Sequence, residues 1–228
     1  MKRLVLFDID GTLLTTGRAA RDAFAEGLVE VYGYDGDVDR FDFSGRTDPE
    51  IASMILTDDG WNEHEIRERL QQLWEEYLSR LARTVRTSAR VLPGMRDLVD
   101  ALSRDARVTL ALLTGNIEPG ARLKLGAVDL NEYFPFGAFG SDSPRRELLP
   151  PIAVARAHDR HGHRFSARDV VIIGDSIFDV RCGVPHDART IAIASGKTAR
   201  ELLAAEKPDH LFDSAEDGAA VMEAIFSE

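Results

Sequence analysis

The feature that most constrains this chain is an alternation that is interrupted once. Apolar runs of strand length recur at RLVLFD (3–8), RVTLALLT (107–114), DVVIIGD (169–175) and RTIAIAS (189–195), with a weaker one at HLF (210–212). Most are rich in Val, Ile and Leu without a polar alternate face, which is how strands covered on both sides read. Helical patterns follow or separate them at 94–104, 118–125, 151–161, 199–205 and 215–226. Strand and helix in turn imply a parallel sheet with helices on both faces.

The interruption runs from about Thr16 to Thr87, where no strand pattern occurs and the signals are helical, as in RAARDAFAEGLVEVYG (18–33) and NEHEIRERLQQLWEEYLSRLARTVR (62–86). VLPG at 91–94 then resumes the alternation through a turn. The expected architecture is α/β: a Rossmann-like parallel-sheet core with an inserted helical cap domain. Residues 1–15 and 88–228 form the core, and residues 16–87 a cap over the carboxyl end of the first strand. Open parallel sheets bind ligands at those carboxyl ends, near the point where strand order reverses.

At 228 residues with 44% hydrophobic side chains the chain can bury a full core. Its net charge of −11 repels phosphate backbones and anionic membrane surfaces, so nucleic acid and membrane are excluded as partners and a small anionic substrate requires locally arranged cations. One cysteine, Cys182, allows no internal disulfide, and no apolar run approaches the roughly 18 residues of a membrane span. The chain reads as cytoplasmic; monomer and homodimer both stay open.

Polar groups end three of the buried runs. Asp8 and Asp10 follow the first, Thr114, Gly115 and Asn116 the second, and Asp175 and Asp179 the third. Two carboxylates about 4 Å apart repel by about 4 kcal/mol at an effective dielectric of 20, so a cluster built from neighbouring strands calls for a cation. Magnesium suits it, being a hard ion that takes one or two carboxylates and leaves room for phosphate oxygens. The competing reading, in which each aspartate only caps the next helix, needs the same coincidence at three strands.

In this order, DIDGTL (8–13), LLTGN (112–116) and GDSIFD (174–179) resemble the first, second and fourth motifs of the haloacid dehalogenase superfamily, most of whose members are phosphohydrolases. The resemblance extends over nearly the whole chain, including a helical cap in the family's usual first position. It implies that Asp8 is the nucleophile of an aspartyl-phosphate mechanism and Asp10 the acid and base. It further implies that magnesium is held by the Asp8 carboxylate, the Asp10 carbonyl and Asp175, with Asp179 a carboxylate close behind. Thr114 and the amides of Gly115 and Asn116 would bind the phosphoryl oxygens. The family's third motif supplies a lysine, whereas SPRRELLPP (143–151) offers Arg145 or Arg146, and the sequence does not say which points inward.

In the cap, SGRTD (44–48) resembles glycine-containing segments that phosphoglycolate phosphatases and similar enzymes carry there. Arg46 would there pair with a substrate carboxylate, while Thr47 or Asp48 as a plain helix N-cap fits equally. SGKT (195–198) lacks the first glycine of a P-loop, Ile191 standing in its place. His158, His161 and His163 read as a solvated helix end, Cys182 as a buried small residue, and Trp61 and Trp74 as cap packing. The expected function is a magnesium-dependent phosphatase for a small phosphorylated metabolite such as phosphoglycolate. A mutase of the β-phosphoglucomutase type shares the motifs, and a non-catalytic binding module that kept the fold is the rival from another class.

Overall fold

A computed structural model describes residues 2–227. The first strand, β1 (Arg3–Phe7), leads through a tight loop to the two-residue β2 (Leu14–Thr15), after which the chain turns helical: α1 (Ala19–Tyr32), α2 (Asp48–Asp58) and the long α3 (Glu63–Ser88). It returns through β3 (Arg90–Val91), α4 (Met95–Ser103), β4 (Val108–Leu113), α5 (Glu118–Gly126) and β5 (Gly137–Ala138). Then come α6 (Leu149–His161), β6 (Val170–Gly174), α7 (Ile177–Gly183), β7 (Arg189–Ile193), α8 (Arg200–Ala205), β8 (His210–Phe212) and α9 (Gly218–Phe226).

Six strands form one sheet in the order β5-β4-β1-β6-β7-β8, every neighbouring pair parallel. From β1 the chain builds outward through β4 and β5 and then crosses back to β6, so the order reverses around β1. Registers align the ends: Phe7 lies beside Leu112 on one side and Ile173 on the other. The residues that follow these three strands therefore emerge side by side. β1, β6 and β7 are buried along their whole length, as their unbroken apolar runs require, whereas the edge strand β8 is only half-buried. Val5 and Phe7 belong to the cluster shared with the cap, whereas Leu4 and Leu6 pack with Leu149, Ala153 and Ala157 of α6.

Two features carried no sequence signal. β5 is only Gly-Ala, too short for periodicity. β2 and β3 pair antiparallel, Leu14 opposite Val91, so the two chain passages between sheet and inserted helices are stitched together.

Within the insertion, α3 starts at a reciprocal cap: the Asn62 side chain accepts from the His64 and Glu65 amides and the Glu65 carboxylate accepts from the Asn62 amide. Its residues Ile66, Leu73, Tyr77, Leu81 and Val85 recur at helical spacing and are buried, sharing one apolar cluster with Phe24, Leu28 and Val31 of α1. Trp61 and Trp74 pack against Tyr32 and Phe24. Thr47 is the N-cap of α2, its hydroxyl accepting from the Glu50 amide at 3.2 Å.

Candidate active site

The loop after β1 is wound tightly around one carbonyl: the amides of Leu13 and Leu14 both donate to Ile9 O, at 2.9 and 3.1 Å. Gly11 takes φ +85°, and a Cβ there would lie 2.4 Å from Asp175 Oδ2, so two separate constraints demand glycine. Thr12, wholly buried, donates from its hydroxyl to Asp175 Oδ1 at 3.1 Å. Asp8 is thereby aimed inward and is buried, while the Asp10 side chain keeps 40% of its surface exposed.

Asp8, Asp175 and Asp179 each bring a carboxylate oxygen within 4.8 Å of the others, the one potential metal-holding cluster of Asp, Glu, His and Cys among the described residues. Their free valences differ. Both oxygens of Asp179 are committed: Oδ2 accepts from the Ser176 amide at 3.0 Å and its hydroxyl at 2.6 Å, and Oδ1 accepts from Arg146. The Asp8 carboxyl meets the Arg146 guanidinium at Oδ1 and the Ile9 amide, while Asp175 Oδ1 accepts from the Thr12 hydroxyl. Burial, against the opposing pull of Arg146 and with the repulsion of Asp179 and Asp10 added, pushes the Asp8 carboxyl up to about 7. Asp175 is pushed well above the ordinary range by burial and then by Asp179 and Asp8. An oxygen-only cluster of three carboxylates against one guanidinium fits a hard divalent cation.

Of the two arginines, Arg146 points inward. It is buried, stands 3.2 Å from Asp8 Oδ1, contacts Asp179 and donates to Leu113 O at 3.3 Å. Burial opposes its charge, but Asp179 and Asp8 outweigh that and raise its pKa. Arg145 is exposed and pairs with Glu147 at 2.8 Å.

The loop after β4 supplies the third wall. The Thr114 hydroxyl accepts from the Asn116 amide at 3.3 Å and from Asn116 Nδ2 at 2.9 Å, leaving its own proton free to donate. The Asn116 amide, expected to bind a phosphoryl oxygen, is thus already engaged, whereas the Gly115 amide has no partner among the described residues. The Asn116 side chain serves Asp10 instead, donating to its Oδ2 at 2.8 Å. A further donor was not anticipated from the sequence. Lys124 of α5 is buried, and its Nζ lies 2.6 Å from the same Asp10 oxygen. Its position was readable, because 124 falls on the apolar stripe of Ile117, Ala121, Leu125 and Val128.

The cap closes the space above. The Asp48 amide donates to Gly115 O at 2.8 Å, the Asp48 carboxylate accepts from the Ile117 amide at 2.8 Å, and the Thr47 hydroxyl donates to Pro144 O at 2.7 Å. Burial raises the Asp48 carboxyl to about 6, with Lys124 opposing. A Cβ on Gly115 would lie 2.0 Å from Arg46 O. Between cap and sheet lies a cavity of about 350 Å³ walled by Asp8, Asp10, Thr114 and Arg146 below and by Phe24, Phe43, Ile51 and Tyr77 above. Arg46 also lines it, with its guanidinium on Glu50 and 4.9 Å from the centre of the Phe178 ring. The SGKT segment borders it too: the Ser195 hydroxyl donates to Gly11 O at 2.7 Å, and Lys197 is on the wall. Cys182 is buried and does not line the cavity; its thiol donates to Asp179 O at 3.3 Å.

The fold recurs in solved structures. One is a predicted phosphatase from Clostridium acetobutylicum, with TM-score 0.76, 17% identity and coverage of 98% of this chain and 99% of that one. Another is a predicted phosphoglycolate phosphatase from Haemophilus somnus 129PT (TM-score 0.72, 17% identity, 97% and 98% covered). A third is CbbY from Rhodobacter sphaeroides in complex with phosphate (TM-score 0.73, 22% identity, 95% and 96% covered). No curated protein sequence matches the chain. The profile of haloacid dehalogenase-like hydrolases matches residues 5–193, a span that takes in β1 through β7 and all three strand-end motifs. The chain belongs to the haloacid dehalogenase-like hydrolase family.

Proposed function

We propose that this protein is a magnesium-dependent phosphatase that hydrolyses a small phosphorylated metabolite through an aspartyl-phosphate on Asp8. One observation carries the reading: a single strand end bears two carboxyls in opposite settings, Asp8 walled in beside one guanidinium and Asp10 open to the cavity. Unlike environments let like groups divide the work of nucleophile and acid.

The Asp8 and Asp175 carboxylates and the Asp10 carbonyl would hold the magnesium ion, with Asp179 fixed behind them. When bound, the ion offsets the carboxylate repulsion and draws charge from the phosphoryl oxygens. The Asp8 carboxylate attacks phosphorus, and the bond from phosphorus to the ester oxygen breaks as the Asp10 carboxyl proton passes to that oxygen, releasing an alcohol. Asp10, now a carboxylate, takes a proton from the water that attacks phosphorus in turn. The bond to Asp8 then breaks and inorganic phosphate leaves. The Thr114 hydroxyl, the Gly115 amide and the Arg146 guanidinium are donors fixed before the reaction, and preorganised donors of this kind supply most of what a protein gives phosphoryl transfer. Phe24, Phe43, Ile51 and Tyr77 exclude water from the leaving-group side. Arg46 is the residue that would meet a carboxylate on the leaving group, which makes phosphoglycolate the first substrate to try.

The test is phosphate release from p-nitrophenyl phosphate with magnesium, wild type against Asp8→Asn, followed by a screen of phosphorylated metabolites. Activity in the first and almost none in the second is expected. Equal rates would remove Asp8 as nucleophile, and inactivity of both would favour a binding module. A sugar phosphate converted to its isomer without phosphate release would identify a mutase.

A further inference from the structure

Lys124 is the only buried lysine of the four in the chain. An ammonium removed from water is costly unless its donors are used, and here all its neighbours are identifiable. From the core, Asp10 Oδ2 lies 2.6 Å away and the Asn116 side-chain carbonyl accepts a second bond. From the cap, the Tyr77 hydroxyl and the Asp48 carboxylate face it. The carboxylates of Asp10 and Asp48 outweigh the cost of burial and keep Lys124 charged.

The consequence falls on Asp10. Its Oδ2 receives both Lys124 Nζ and Asn116 Nδ2, while Oδ1 has no hydrogen-bond partner among the described residues. Two donors from different elements on one oxygen fix the rotation of the carboxyl group, leaving the other oxygen as the only place for a proton that has to be delivered. Lys124 itself is held from the cap side. We propose that Lys124 is a positioning residue: with Asn116 it clamps one oxygen of Asp10 so that the other faces the leaving group, and the cap's Tyr77 and Asp48 hold the clamp in place. This rests on the phosphatase reading above, in which Asp10 is the acid.

A defect in acid positioning has a signature that loss of packing lacks. A phenolate such as p-nitrophenolate departs with little help from a proton, whereas an alkoxide does not. kcat/KM covers every step up to leaving-group departure, so in the ratio of kcat/KM for glycerol phosphate to that for p-nitrophenyl phosphate the losses common to both esters cancel and a loss of proton delivery stands out. In Lys124→Met that ratio is expected to fall by roughly 10- to 100-fold, part of the effect general acid catalysis supplies. Tyr77→Phe, which leaves the ammonium in place, is expected to lower it by a few-fold. Circular dichroism and thermal melting establish that each variant is folded. A folded Lys124→Met with an unchanged ratio, both esters slowed alike, would overturn the proposal. Should that variant not fold, Tyr77→Phe decides, an unchanged ratio again overturning it. A wild-type protein that hydrolyses neither ester would refute the phosphatase reading itself and this inference with it.

Discussion

If magnesium is held as proposed, its binding has to displace protons, and the size of the effect follows from how Asp8 is buried. Its carboxyl is held at about 7 in the folded chain against 3.8 when solvated. At about 1.4 kcal/mol per pH unit, that gap makes ionised Asp8 about 4 kcal/mol costlier in the metal-free fold than in the unfolded chain. The folded state binds the proton more tightly. The contribution is therefore fully present below about pH 3.8 and is lost as pH rises through about 7; Asp175, shifted the same way, adds to it. A cation that requires both carboxylates ionised reverses the cost. Calorimetric titration of magnesium at pH 6, in buffers of different ionisation enthalpy, is expected to show about one or more protons released per ion, falling toward none at pH 8.5. Thermal unfolding supplies the second readout. At a concentration 100 times Kd, measured at pH 8, the ion stabilises by about 2.7 kcal/mol, and the same concentration at pH 5.5 should do markedly less. Equal stabilisation at both pH values with no proton release would refute the argument that Asp8 and Asp175 are the ligands.

Arg146→Met removes the one guanidinium that faces Asp8 and Asp179 and leaves two buried carboxylates without their cation. A loss of about 3–5 kcal/mol in urea unfolding is expected, whereas Arg145→Met, at an exposed pair, should stay within about 0.5 kcal/mol. Equal effects would mean that the inward arginine is misassigned. Gly115→Ala places a methyl group 2.0 Å from Arg46 O, which the cap can relieve only by backing away. Faster hydrogen exchange at the Asp48 and Ile117 amides, which bridge cap and core, and a raised KM are expected. Unchanged exchange would show that the junction yields elsewhere.

The sheet and the aspartates were legible because burial on both faces erases alternation, and because polar residues cannot end three apolar runs at random. Asp8, Asp175 and Asp179 do converge, and the pairwise register of β1 with β4 and β6 explains why. The choice between Arg145 and Arg146 was not legible. Adjacent residues in an irregular turn have no periodicity, and only the seat beside Leu113 O and Asp179 decides it. SGKT carried a different lesson. It was set aside as a P-loop, yet its position after a strand next to β6 places Ser195 and Lys197 at the site. Strand order, which no local pattern contains, was the missing information.

The same reasoning accounts for Lys124. A charge on the buried stripe of an amphipathic helix conflicts with its local pattern, and such conflicts persist in a fold when another element compensates. Here the compensation comes from three places at once: Asp10 after β1, Asn116 after β4, and Tyr77 and Asp48 on the cap. Since no one of these elements can satisfy the ammonium by itself, its burial requires that the cap be seated on the sheet. Both donors on Asp10 Oδ2, Lys124 and Asn116, belong to the core, so the clamp is made within the core and the cap covers it. Of the cavity roof, Ile51 and Tyr77 lie on α2 and α3, the helices that bring Asp48 and Tyr77 to the lysine, whereas Phe24 comes from α1 and Phe43 from the segment between α1 and α2.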